Sequence, residues 1–211
     1  DSMPILSALN LKEVHIKAWT NPNNPGEKYL EDKIPVSAFN TQGGGGNSTL
    51  VNFVFPDKLK AIGDNAFTGC KNLSGSLIIP EGVVEIQRGA FTGCSSLNGT
   101  LSLPSTLKKL GTSGDGPDKD TKDEGIDYYN GVFSGCNNLT GNLIIPDGVE
   151  IIRGYCFDNC SGFYGELKLP SKLKKLGERA FFLCKNLTGS LEIPQGISSI
   201  PNEAFTAFSY V

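Results

Sequence analysis

A short period, of about 24 residues, runs through this chain and restricts its fold more than any other feature. The letters AFTGC occur from Ala66 to Cys70 and again from Ala90 to Cys94, one period apart. Phenylalanines recur at the same position of the repeat, at Phe67, Phe91, Phe133, Phe157, Phe181 and Phe205. The interval from Phe91 to Phe133 is longer than the others and therefore contains an insertion. A short period predicts stacked coils, because a single coil cannot enclose a hydrophobic core.

Each coil is predicted to hold two short strands and a turn. Around Leu77, apolar and polar residues alternate as in a half-buried strand, which Pro80 ends because it has no N–H group to donate. A second inward-facing segment surrounds Ile86, and a short helical turn then buries Phe91 and Cys94. We therefore expect an α/β solenoid, β-rich with short helical turns, of about seven coils. The first-strand leucines should lie side by side in one parallel sheet.

The repeats account for almost the whole chain, so we expect one solenoid domain over residues 1–211. Residues 1–49 are interpreted as a degenerate first coil and an N-terminal cap. Residues 112–129 form the inserted loop, and residues 17–33 form a second insertion. The acidic residues of the inserted loop do not follow the ligand spacing of a calcium-binding loop. A solvated loop is favoured over a calcium site, and the calcium alternative stays open.

The sequence LIIPEGVVEIQRGAFTGC, residues 77–94, resembles the BspA-type leucine-rich repeat of surface proteins from anaerobic bacteria. The resemblance covers residues 50–208 well and residues 11–40 weakly. It implies a horseshoe-like leucine-rich-repeat fold and a non-catalytic binding module that is secreted or lies on the cell surface. The implied partner is a protein or glycan macromolecule, of the host matrix or of a neighbouring cell, bound in adhesion. The alternative is a structural spacer that presents another domain of a larger surface protein.

One outward-facing row of the first strand is the candidate partner-binding face, because the equivalent row lines the concave face of leucine-rich-repeat proteins. Its predicted members are His15, Val54, Ile78, Ser102, Ile144, Lys168 and Glu192. Val54, Ile78 and Ile144 place apolar side chains where the solvent pattern predicts polar ones, and such a patch can mark an interface. The alternative is that β-branched residues merely favour strands.

Five of the six cysteines occupy one position of the repeat, and Cys156 replaces the alanine before a phenylalanine. On adjacent parallel coils their Cβ atoms would be about 4.8 Å apart, whereas a disulfide needs roughly 3.5–4.5 Å. We therefore expect free, buried, structural thiols. A disulfide and a metal or redox site remain as alternatives.

Charge and composition exclude several functions. The net charge is −3 with no basic run, which predicts no nucleic-acid partner. No apolar stretch is long enough to span a membrane. His15 is the only histidine, and no nucleophile–base pair, zinc motif or phosphate-binding loop occurs. We therefore predict no enzyme activity and no catalytic, cofactor-binding or metal-binding residues.

The outward positions of the second strand alternate in charge from coil to coil. Lysine pairs stand at 108–109 and 174–175, and Glu85 and Glu150 stand on neighbouring coils. A ladder of ion pairs is favoured over a basic stripe that binds a ligand, because the glutamates would oppose such a ligand.

Overall fold

The structure is a computed structural model that describes residues 7–20, 22, 28–40, 46–112 and 131–208. Within these ranges the chain forms short strands and no helix. The strands are β1 (Ala8–Asn10), β2 (Trp19–Thr20), β3 (Lys28–Tyr29), β4 (Lys33–Ile34), β5 (Asn52–Val54), β6 (Ala61–Ile62), β7 (Leu77–Ile78), β8 (Glu85–Gln87), β9 (Leu101–Ser102), β10 (Lys109–Thr112), β11 (Gly141–Ile144), β12 (Ile151–Ile152), β13 (Phe163–Lys168), β14 (Lys175–Leu176) and β15 (Leu187–Thr188).

The longest sheet is built from the second strand of each coil. Strands β4, β6, β8, β10, β12 and β14 lie side by side, all parallel, with no strand inserted between neighbours. Ile62 pairs with Ile86, which lies one period further along the chain. The solenoid expected from the period is therefore confirmed, and it is a β-solenoid throughout the part that the structure describes.

The first strands do not form the single sheet that was predicted. They form three smaller parallel sheets, β1–β5, β7–β9 and β11–β13–β15. Between β9 and β11 the pairing is one bridge, from Thr100 to Thr140, and Leu191 lies outside any strand. The predicted register holds where Leu77 pairs with Leu101 and Leu143 with Leu167, and Leu77 and Leu143 are buried. Between β13 and β15 it shifts by two residues, because Gly165 and not Phe163 pairs with Leu187. Side-chain packing in the core therefore aligns these coils where ladder hydrogen bonds are missing.

The segment that carries each phenylalanine is a series of turns and not the predicted short helical turn. The Cys94 N–H donates to the Phe91 carbonyl three residues earlier, at 3.1 Å. The N–H groups of Phe91 and Gly93 instead donate to the next coil, to the carbonyls of Val132 and Ser134. Because these donors are used between coils, the i to i−4 bonds of an α-helix do not form. The predicted burial of Phe91 and Cys94 is confirmed.

The phenylalanine rings form a continuous stack through the core. Neighbouring ring centroids are 4.8 to 5.6 Å apart, and their planes are inclined by 5 to 19°. The stack contains Phe39, Phe67, Phe91, Phe133, Phe157, Phe181 and Phe205. It passes from Phe91 to Phe133 at 5.6 Å, so the coils before and after the insertion stack in register.

The second insertion contains an antiparallel hairpin of β2 and β3, in which Trp19 pairs with Tyr29. This insertion is a hairpin excursion from the solenoid. The Asp32 N–H donates to the Ile16 carbonyl at 2.8 Å and joins the two ends of the excursion at its base. The Lys60 N–H in turn donates to the Asp32 carbonyl at 2.7 Å, which ties the returning chain to the next coil. The excursion therefore separates the first strand of this coil, β1, from its second strand, β4.

The residue two positions after each phenylalanine of the repeat, from Phe67 to Phe205, has a positive φ. Glycine occupies this position in three coils, but Leu183 occupies it with φ 59°. A left-handed conformation costs a side-chain-bearing residue roughly 1–2 kcal/mol, because its Cβ approaches the following carbonyl oxygen. Leu183 thus carries backbone strain that Gly93, at the same position, avoids.

We expect Leu183→Gly to be more stable than Leu183→Ala by about 1 kcal/mol in urea unfolding. Both substitutions remove the partly exposed side chain, but only glycine relieves the left-handed backbone. Equal stability of the two variants would show that this turn is not strained.

We expect Phe91→Ala to lower the free energy of unfolding by about 3–5 kcal/mol, because it opens a cavity in the middle of the ring stack. Urea denaturation measures the change, with Val84→Ala, an exposed valine directly before β8, as the control. A loss below about 1 kcal/mol would mean that the coils repack without the ring.

Candidate binding surface

Five of the seven residues predicted for the partner face lie on successive first strands. They are Val54 on β5, Ile78 on β7, Ser102 on β9, Ile144 on β11 and Lys168 on β13. Ile78 pairs with Ser102, and Ile144 pairs with Lys168. Ile78 is 64% exposed and Ile144 is 62% exposed, although their neighbours Leu77 and Leu143 are buried. The strand alternation therefore turns both isoleucines fully outward.

The other two predicted members lie elsewhere. Glu192 is exposed but belongs to no strand, because the first strand of its coil, β15, ends at Thr188. The placement of His15 in this row is wrong: Asn10 pairs with Val54 and occupies that position. The first coil lacks the proline that marks the end of the strand in later coils, so its register could not be read from the repeat. His15 lies instead at the base of the hairpin excursion, beside Glu31.

Tyr164 is an exposed aromatic residue that the sequence analysis did not include. It lies on β13, where alternate residues face outward, and it shares that outward face with Glu166 and Lys168. The equivalent position holds Thr140 one coil earlier and Thr188 one coil later. The replacement of a small polar residue by tyrosine at this position of the repeat is the sequence signal by which Tyr164 could have been found.

The outward face of the second-strand sheet is a ladder of paired charges, as predicted. Lys174 Nζ lies 2.7 Å from Glu150 Oε2, and Lys109 Nζ lies 3.9 Å from Glu85 Oε1. The hydrogen bond and the charge of Lys174 hold the pKa of Glu150 below its usual value. Because the lysines are matched by glutamates of neighbouring coils, this face offers no uniform basic stripe to an anionic ligand.

All six cysteines are free thiols and buried, which confirms their predicted burial. Four of them donate a hydrogen bond of 3.0 to 3.1 Å from Sγ to a phenylalanine carbonyl of the preceding coil: Cys94 to Phe67, Cys136 to Phe91, Cys160 to Phe133 and Cys184 to Phe157. Burial raises the pKa of Cys136 to about 12. Because the thiolate is the form that reacts and binds metals, these thiols have a structural role.

We expect the protein to lose stability at alkaline pH through these thiols. Above about pH 9 the unfolded chain ionises Cys136, whereas the folded protein keeps the proton up to about pH 12. The free energy of unfolding should therefore fall with rising pH, by up to about 1.4 kcal/mol per pH unit for each such thiol.

The Cys136→Ala variant provides the control, because its alkaline slope should be smaller than that of the parent by one thiol. Urea unfolding between about pH 8 and about pH 11 measures both slopes. An unchanged slope would show that Cys136 does not resist ionisation in the folded state.

The described part of the inserted loop ends at Thr112, whose hydroxyl donates to Glu85 Oε1 at 2.7 Å. The acidic residues that follow lie outside the described residues. The expectation of a solvated loop, and the calcium alternative, therefore stay predictions.

Parallel coils, each one repeat long, around a leucine- and phenylalanine-rich core define a leucine-rich-repeat solenoid. The chain belongs to the family described as the BspA type leucine rich repeat region, whose family model matches six copies over residues 33–113 and 127–211. Repeats of this family generally bind proteins, and the family and fold are typical of non-catalytic scaffolds. BspA-type repeats are typically found in bacterial surface proteins.

Two solved structures share the fold. A leucine-rich repeat protein from T. pallidum is 24% identical with a TM-score of 0.60, and the match covers 85% of this chain and 80% of that one. A leucine-rich repeat protein from Bacteroides ovatus ATCC 8483 is 24% identical with a TM-score of 0.50. That match covers 93% of this chain but only 54% of the other. No curated protein is similar enough in sequence to count as a relative.

The residues that the structure describes contain no helix long and apolar enough to cross a membrane.

Proposed function

We propose that this chain is a non-catalytic adhesion module, secreted or held at the cell surface, that binds a protein or glycan of the host matrix or of a neighbouring cell. Its contact surface is the first-strand face, defined as Val54, Ile78, Ser102, Ile144, Tyr164 and Lys168. Family membership supports a binding role in general. The exposed isoleucines of this face support the choice of surface.

The single observation that carries the choice is the full outward exposure of Ile78 and Ile144. Burial of apolar surface gains about 25 cal/mol per Å², so a partner that covers both side chains would gain appreciable affinity. The adjacent tyrosine and lysine suit the rim of such a contact, because interfaces combine an apolar centre with a polar border. On the opposite face the charges are already paired with each other.

A flat row of side chains along a ladder suits an extended macromolecule better than a small molecule, which needs a concave pocket that surrounds it. The hydroxyl groups that contact a carboxylate, such as Thr112 with Glu85 and Ser105 with Glu81, serve contacts between neighbouring coils. The thiols, which are the strongest nucleophiles of the chain, are buried and hold their protons. These features favour a binding module over a hydrolytic enzyme.

We expect the double substitution Ile78→Lys and Ile144→Lys to leave the fold nearly intact and to weaken binding at least tenfold, as the loss of an interface hot spot does. The parent is first screened by biolayer interferometry against purified host-matrix proteins and polysaccharides. The matched control is Ile200→Lys, because this isoleucine is 57% exposed and lies outside the first-strand face.

Equal binding by the double variant and the parent would exclude the first-strand face and direct the search to the two insertions. If the parent binds no member of the panel, the adhesion proposal fails and the structural-spacer alternative is favoured.

A further inference from the structure

Three potential metal ligands meet at the base of the hairpin excursion, away from the first-strand face. His15 Nε2 lies 2.9 Å from Glu31 Oε1 and 3.4 Å from Asp32 Oδ1. One ligand atom from each residue lies within 4.8 Å of the other two. His15 is the only histidine of the chain. The cluster was missed in the sequence because the hairpin separates its two parts.

The backbone holds this cluster together. Asp32 N–H donates to the carbonyl of Ile16, the residue after His15, and this hydrogen bond brings the two ends of the excursion side by side. The Asp32 carbonyl accepts from Lys60 of the next coil, so Asp32 is fixed to the solenoid. Asp32 has φ 52°, a left-handed conformation. The backbone segments that carry His15 and Asp32 are therefore held in place by the solenoid.

The distances suit a small divalent cation. Nitrogen and oxygen ligands bind zinc at about 2.0–2.2 Å, so two ligand atoms on one ion lie roughly 3.0–3.5 Å apart. The 3.4 Å contact of His15 Nε2 with Asp32 falls at this separation, and its 2.9 Å contact with Glu31 is slightly shorter. A modest rotation of one carboxylate would bring the third pair of atoms into the same range.

Hydrogen bonds alone cannot satisfy both carboxylates of the cluster. The imidazole Nε2 carries at most one proton, so it can donate to one of the two carboxylates but not to both. Asp32 Oδ1 is shielded from solvent and accepts no hydrogen bond. A buried carboxylate oxygen without a donor is costly. A cation bound between the three ligands would satisfy all of them at once.

We propose that His15, Glu31 and Asp32 form a binding site for one divalent transition-metal ion of the Zn²⁺ class. The imidazole favours such an ion over Mg²⁺ and Ca²⁺, which prefer a shell of oxygen ligands. The side chains of His15 and Glu31 are 43% and 59% exposed, so an ion can enter from solvent. Three protein ligands leave at least one coordination position for water or for a side chain of a partner.

The test is isothermal titration calorimetry of the full chain, free of any histidine tag, with ZnCl₂ in a buffer that does not bind metal. We expect one ion per chain, and we expect binding to weaken at least tenfold in both His15→Ala and Glu31→Gln. Glu166→Gln, an exposed carboxylate on another coil, is the matched control and should bind as the parent does.

Cobalt(II) provides a second readout that separates this site from the cysteines. Substitution with Co²⁺ should give visible absorption without the charge-transfer bands of thiolate ligands, and His15→Ala should abolish it. The unfolding midpoint of metal-free His15→Ala should match that of the parent, because His15 is exposed. A parent that binds no Zn²⁺, full binding by His15→Ala, or a thiolate spectrum would each overturn the proposal.

Discussion

The solenoid depends on two interactions that meet at one phenylalanine carbonyl in each of four coils, at Phe67, Phe91, Phe133 and Phe157. The Phe91 carbonyl accepts the N–H of Cys94 in its own turn and the S–H of Cys136 in the next coil, each at 3.1 Å. The first bond closes the turn that holds the ring in the core, and the second fixes the spacing of the coils. The alanine, phenylalanine and cysteine of AFTGC therefore recur together.

The two faces of the solenoid differ in how their polar side chains are bonded. On the second-strand side, groups on neighbouring coils satisfy one another: Glu85 accepts from Thr112, and Glu150 accepts from Lys174. The same device recurs in the preceding turns, where Glu81 accepts from Ser105 of the next coil. Side chains bound in such ladders are unavailable to a partner without the loss of a contact. The first-strand face, with outward isoleucines, offers surface that no neighbouring coil covers.

The period and the side-chain pattern were sufficient to predict the stacking, the parallel register and the buried rows, because every coil repeats the same inward positions. They were not sufficient to predict features that occur in one coil only or that depend on contacts between coils. His15 was misplaced because the first coil has no proline and carries a hairpin. The turns were taken for helical ones because spacing along the chain does not reveal that Phe91 and Gly93 donate to the next coil. Tyr164 was visible only as a departure from the repeat.

Both insertions leave the stacking of the coils intact. The ring stack passes the inserted loop between Phe91 and Phe133 without a gap, and the hairpin of the first coil closes at the hydrogen bond from Asp32 to Ile16. Coil stacking therefore needs only that the chain return in register. Residues within an excursion are free of the inward and outward alternation that governs the strands. His15, Glu31 and Asp32 come together where the chain rejoins the solenoid. Two segments distant in sequence are held side by side there, and the residue pattern of the repeat does not determine their side chains.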